Sequence, residues 1–182
     1  MESFYYVGLD VHKKTVSYSV KTAGGEKVAA GSVAANRAAL SEWAEALPGP
    51  WVGALEATLF TGWIYDHLEG YAVELQVAHP AMLKAIACAK KKNDHLDAEK
   101  ICDLVRCDLL PVCYMAPPEI RELRRVVSVD PAHFPARYNL GLALRSNGQT
   151  VEAIEQLRIA TQIRPDHEGA RNALQQLTNP QP

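Results

Sequence analysis

The first part of the chain alternates between two hydrophobic periods. Residues 4–11, FYYVGLDV, are an apolar and aromatic run that predicts a central strand. Residues 15–22, TVSYSVKT, set Val16, Tyr18 and Val20 against polar neighbours, the pattern of a strand with one face in water. AGGE at 23–26 is a turn, and KVAAGSV at 27–33 pairs back as a third strand. The period then lengthens. Leu40, Trp43 and Leu47 share one helical face behind Asn36, a capping residue, and the Pro-Gly-Pro at 48–50 stops that helix. WVGALEA (51–57) predicts a buried strand ending near Glu56. Residues 62–71 predict a helix with Trp63, Ile64, His67 and Leu68 at helical spacing, and AVELQVAHP (72–80) a further strand. Pro80 suits the first turn of a helix running through Lys84 and Ala87. Residues 93–110 are the strongest helix of this half, with Ala98, Ile101, Cys102, Val105 and Leu109 as its apolar stripe.

Three strands followed by helix, strand, helix, strand, helix is the element order of an α/β ribonuclease-H-like domain, here expected over 1–118. Such a domain carries carboxylates at the tip of its first strand, at the end of a later strand and on a following helix. Asp10, Glu56, and the pair Asp94 and Asp97 hold those places, the pair being three apart and so on one helix face. Each has an ordinary structural reading as well. Asp10 suits a turn, Glu56 a cap on the next helix, Asp94 an N-cap, and Asp97 a favourable first-turn anion. As a group they point to metal chemistry. Clustered carboxylates repel unless a counter-charge is present, and hard oxygen donors suit Mg2+ or Mn2+. A two-metal site of this kind acts on phosphodiesters. Lys84, Lys90, Lys91 and Lys92 stand just before Asp94, where a nucleic-acid backbone would pass, and Lys13 follows Asp10. The alternative for these lysines is a solvated helix end or an exposed hairpin. Arg121, Arg124 and Arg125 form a second basic face with the same alternative.

Three separated segments carry a resemblance: GLDVHKKTV, then ALEAT with GWIYDHLEGYAVELQVAHPAMLKA, then KKKNDHLDAEKICDLVR. Residues 4–125 resemble the N-terminal domain of DEDD transposases of the insertion-sequence one-ten type, which are related to the Piv invertases. The resemblance implies a RuvC-like fold and a catalytic, Mg2+-binding set made of Asp10, Glu56, Asp94 and Asp97. The family places Gly and Tyr soon after Glu-Ala-Thr, whereas Leu59, Phe60 and Thr61 intervene here. The family also continues into a second recombination domain with a catalytic serine, which nothing in these residues matches. The resemblance therefore implies a truncated transposase or recombinase that binds DNA, with a guide RNA as a further partner, and is not competent for full transposition.

The pattern changes after residue 118. Residues 119–127 read as a charged junction helix. Over 128–182, Leu140-Gly141, Leu144, Gly148, Ala153, Leu157, Ala160 and Pro165 fall at the spacings of a tetratricopeptide repeat. Asp130-Pro131 lies one period before Pro165, and 168–177 predicts a capping helix. The expected architecture is thus a ribonuclease-H-like (RuvC-like) domain followed by an all-α tetratricopeptide-like tail. Such a tail suggests a second class of function, a protein or peptide interaction module, and a third reading is a gene-fusion relic without selected activity. Bulk properties narrow this little. The 182 residues carry a net charge of −2, so any nucleic-acid contact must be local. Four cysteines, at 88, 102, 107 and 113, form no C-x-x-C pair and read as reduced thiols. No leader and no apolar run of roughly 18 residues is read, which predicts a cytoplasmic protein without a membrane span, with homo-oligomerisation open.

Overall fold

The computed structural model describes residues 4–86 and 94–179. The chain divides into two compact units, Met1–Met115 and Ala116–Pro182. In the first, strands β1 (Tyr5–Val11), β2 (Thr15–Thr22), β3 (Lys27–Ala34), β4 (Trp51–Glu56) and β5 (Glu74–Ala78) form one sheet in the order β3-β2-β1-β4-β5. The β1–β2 and β2–β3 pairs are antiparallel, and β1–β4 and β4–β5 are parallel. Among the described residues, four helices accompany them: α1 (Arg37–Glu45), α2 (Thr61–Leu68), α3 (Pro80–Ile86) and α4 (Asp94–Arg106). This mixed α/β sheet is consistent with a ribonuclease-H-like fold.

Strand alternation sorts the core into two layers. Val7, Leu9, Val11, Trp51 and Leu55 face α1 and α2 through Leu40, Ala44, Ile64 and Leu68. Tyr6, Val52 and Ala54 face α3 and α4 through Leu83, Ile101 and Val105. Asn36 caps α1, its Oδ1 accepting from the Ala39 amide at 2.9 Å. The β5 edge is covered as well: the His79 amide donates to Pro111 O and the Cys113 amide to Val77 O, each at 2.8 Å.

Two expectations are corrected. The polar face of β2 is not in water: Ser17, Ser19 and Lys21 are buried. Helix α4 lies over it and brings its own charges, with Lys21 Nζ 2.7 Å from Asp103 and 3.3 Å from Glu99. Period two shows which residues alternate, but not what covers the polar set. Helix α4 also ends at Arg106, short of the expected 110. Asp108 takes φ +55° and the Leu109 amide turns back to Leu104 O at 2.9 Å. Aspartate tolerates this left-handed conformation better than most residues. Leu109 therefore leaves the apolar stripe and is 64% exposed, while Leu110 packs in its place.

The Lys21–Glu99–Asp103 network gives a pH dependence. Burial alone would lower the Lys21 pKa, but the hydrogen bonds and charges of Asp103 and Glu99 outweigh it and hold Lys21 above its ordinary value. The hydrogen bond from Lys27 is the main cause that holds Glu99 below its ordinary value, with Lys21 assisting against burial. The Glu99 contribution is present above the ordinary carboxylate range and is lost as pH falls through its lowered folded value. The Lys21 contribution is present below the ordinary lysine pKa and is lost as pH rises through its raised folded value. Glu99→Gln should therefore flatten the acid side of the stability profile of this unit, measured by urea midpoints from neutral pH down to about pH 3. The expected change is at most ~1 kcal/mol, because Glu99 keeps contact with water.

The second unit consists of α5 (Pro118–Val129), α6 (Phe134–Ser146), α7 (Thr150–Ile163) and α8 (Glu168–Thr178), each packed on the next. Ile120, Leu140, Leu144 and Ala153 form its main core. Gly141 permits the close approach of α6 to α7, since a Cβ there would stand 2.6 Å from Leu157 Cγ. Helices α6 and α8 begin alike. His133 Nδ1 accepts from the Ala136 amide and His167 Nδ1 from the Ala170 amide, both at 3.1 Å. Arg137 donates to Pro131 O at 3.0 Å and Arg171 to Pro165 O at 2.8 Å. Of the arginines read as a basic face, Arg124 pairs with Glu152 at 2.6 Å and Arg125 with Glu122 at 3.5 Å.

Candidate acidic active site

The parallel register of β1 and β4 sets Leu9 beside Leu55. The next residues, Asp10 and Glu56, thus lie at the C-terminal ends of adjacent parallel strands, on the face shared by Gly8 and Ala54. Helix α4 is pressed against that face. A Cβ on Gly8 would lie 2.0 Å from Ala98 O and 2.3 Å from the Cys102 amide nitrogen. The Cys102 thiol donates to Tyr6 O at 3.2 Å, and Arg106 reaches Ala23 O at 3.4 Å. These contacts run α4 antiparallel to β1, so its first turn, with Asp94 and Asp97, lies toward the Asp10 end of the strand.

Asp10 is 6% exposed. A buried carboxylate is costly unless it finds partners. His12 supplies one, its Nε2 standing 3.2 Å from Asp10 Oδ2. Glu56 is half-buried at the strand end. The ordinary reading makes it a cap on the next helix, but α2 starts behind Phe60, which makes no side-chain cap bond, and the Thr61 hydroxyl donates to the Glu56 backbone O at 2.6 Å, tying the start of α2 to β4. Asp97 is also half-buried, with Lys100 Nζ at 3.5 Å. Asp94 opens α4, and its side chain lies outside the described residues. Among the described residues, no three His, Cys, Asp or Glu side chains stand close enough to hold a metal ion.

Of the residues expected to contact nucleic acid, Lys13 is exposed in the turn between β1 and β2, at the Asp10 end of the sheet, and Lys84 is exposed on α3. Lys90, Lys91 and Lys92 lie outside the described residues. His12 carried no assigned role in the sequence. The available signal was period two: residue 12 falls on the same side as residue 10 where the chain leaves β1.

Two other reactive-looking groups are structural. Ser41 Oγ lies 3.0 Å from His67 Nε2, the spacing of a nucleophile and its base. The same nitrogen lies 3.0 Å from Arg37 O, a pure acceptor, so Nε2 carries the proton and is no base. With Tyr71, whose hydroxyl donates to Ser41 at 2.8 Å, it ties α1 to α2. Burial pushes the Cys102 thiol up to about 11, which keeps it protonated at neutral pH and unreactive. Among the described residues, no helix is long and apolar enough to cross a membrane.

No curated protein matches the chain. The family model DEDD_Tnp_IS110, described as a transposase, matches residues 7–147. The match takes in the sheet unit from Val7 onward and continues through α5 and α6, beyond residue 125 where the sequence resemblance stopped.

Proposed function

Because the chain belongs to the DEDD transposase family of the IS110 type, we propose that its sheet unit binds DNA and cleaves phosphodiesters at the edge formed by β1, β4 and α4. The observation that carries this is the register that sets Asp10 beside Glu56 under the approaching first turn of α4. The donor chemistry fits a hard divalent cation, because carboxylate oxygens dominate the set. Asp10, Glu56, Asp94 and Asp97 would hold Mg2+ or Mn2+. When bound, such an ion activates a water or 3′-hydroxyl and stabilises the leaving oxygen of a phosphodiester.

The chain's own residues do the remainder. Asp10 and Glu56 are carried on neighbouring strands of a rigid sheet, so their spacing is set by backbone hydrogen bonds. Lys13 and Lys84 offer point charges to phosphates. Fluorescence anisotropy with a labelled duplex should show binding that weakens steeply with salt. Lys13→Ala and Lys84→Ala should each reduce the log–log salt slope by about 1. Wild-type protein that fails to bind DNA at low salt would overturn this function.

A second reading concerns residues 128–182 as a tetratricopeptide-like interaction module behind a junction helix. What supports it is the recurrence, 34 positions apart, of the histidine cap (133 and 167) and of the arginine-to-proline-carbonyl bond (137 and 171). That interval is the length of one such repeat. Helix α6 belongs both to this repeat and to the transposase match.

A further inference from the structure

We propose that His12 is the positioning residue of the acidic site: it holds the Asp10 carboxylate in the orientation that a divalent cation requires. The role rests on the metal reading of Asp10. The last β1–β2 pair is Val11 with Val16, and the His12 amide then donates to Thr15 O at 2.9 Å. The His12 backbone is therefore fixed by a tight turn rather than left to a free loop. Strand alternation sends residue 12 to the side of residue 10, and Nε2 meets Oδ2 at 3.2 Å. The ring is 39% exposed and the carboxylate 8% exposed, so the contact lies where a buried anion meets water.

The direction of this bond follows from its chemistry. An ionised carboxylate only accepts, so the ring donates through Nε2–H. A carboxylate turning about its last bond loses that freedom when a cation binds, and one already held loses less. Partners of this kind typically change metal affinity by about 10–100-fold when removed. Lys13 and Lys14, next in the chain, are exposed at the turn and serve as charges toward solvent. His12 alone of the three makes a described contact with a member of the acidic set.

The test is a Mn2+ titration read by thermal melting of the full chain, followed by tryptophan fluorescence. Trp43, Trp51 and Trp63 are the three tryptophans of the chain, and all belong to the sheet unit. His12→Ala should need about ten-fold more Mn2+ or above for the same rise over its own metal-free melt. His12→Gln, whose amide nitrogen reaches the position of Nε2 and donates, should recover most of the loss. If the wild type responds to Mn2+ and His12→Ala responds equally, the positioning role is overturned and the acidic site stands. A His12→Gln variant as weak as His12→Ala overturns the hydrogen bond as the cause. A wild type that does not respond overturns the metal reading itself, and the role of His12 with it.

Discussion

Replacing Gly8 with valine is expected to destabilise the sheet unit by ~3 kcal/mol or more, the upper range for overpacking a core. For a domain of this size that lowers the melting temperature by about 10 °C or more. Gly8 sits in the central strand, directly under α4. A Cβ there would meet Ala98 O at 2.0 Å, the Cys102 nitrogen at 2.3 Å and Cys102 Cα at 2.9 Å. All three are backbone atoms, so no side-chain rotation relieves the clash, and α4 must lift. Lifting it exposes Ala98, Ile101, Cys102 and Val105, all buried in the native packing. It also carries Asp94 and Asp97 away from the Asp10 end of β1, so the same substitution should abolish any response to Mn2+. Gly31→Ala is the matched control. The nearest atoms to its Cβ would be those of the Tyr18 phenol, from 3.0 Å outward, and the far end of a side chain can give where backbone cannot. Urea unfolding followed by tryptophan fluorescence compares the two. A Gly8→Val midpoint equal to that of wild type would refute the packing of α4 on β1.

The contrast between Gly8 and Asp10 shows how much of this molecule is legible in its sequence. Strand and helix identity in the first unit follows from apolar runs, hydrophobic period and turn residues, because β1 and β4 are buried on both faces and α1 and α2 each bury one. The places of Asp10 and Glu56 at the ends of two strands are legible for a related reason: each stands directly after a run of apolar residues. What lies over the other face is not legible. TVSYSVKT reads as half wet, yet Lys21 is buried because its partners Asp103 and Glu99 arrive from 78 to 82 positions further along the chain. The end of α4 was missed because Leu109 continues the apolar spacing, while the left-handed turn at Asp108 depends on backbone geometry that no period encodes. Gly8 itself looks like any strand glycine until the helix is placed at contact distance above it. In the tail the structure adds what the sequence reading did not hold: the two helix starts share a histidine cap and an arginine-to-proline-carbonyl bond, devices that no hydrophobic spacing marks.

Asp10→Asn is the variant with the largest expected effect on activity. The side chain keeps its shape, and Asn Oδ1 can still accept from His12, so the apo fold should be unchanged or slightly more stable. Removing a buried charge lowers a desolvation cost. The lost negative charge, however, removes a hard anionic donor from the edge shared with Glu56. Nicking of supercoiled DNA in Mg2+ should fall by roughly a thousand-fold or more, the scale of several kcal/mol that a metal supplies to a phosphoryl transition state. DNA binding through Lys13 and Lys84 should persist, which separates the acidic edge from the basic contacts. A variant that nicks as fast as wild type would remove Asp10 from the reaction.

The most direct measurement is a thermal melt of the full chain, followed by tryptophan fluorescence, with and without millimolar Mn2+, on wild type and on Asp10→Asn. Binding confined to the folded state stabilises by mass action, by about 2.7 kcal/mol when the ion stands at a hundred times its dissociation constant. A metal site built on Asp10 predicts a clear rise for wild type and none for Asp10→Asn, with the two metal-free melts alike. No rise in the wild type, or an equal rise in both proteins, would contradict it.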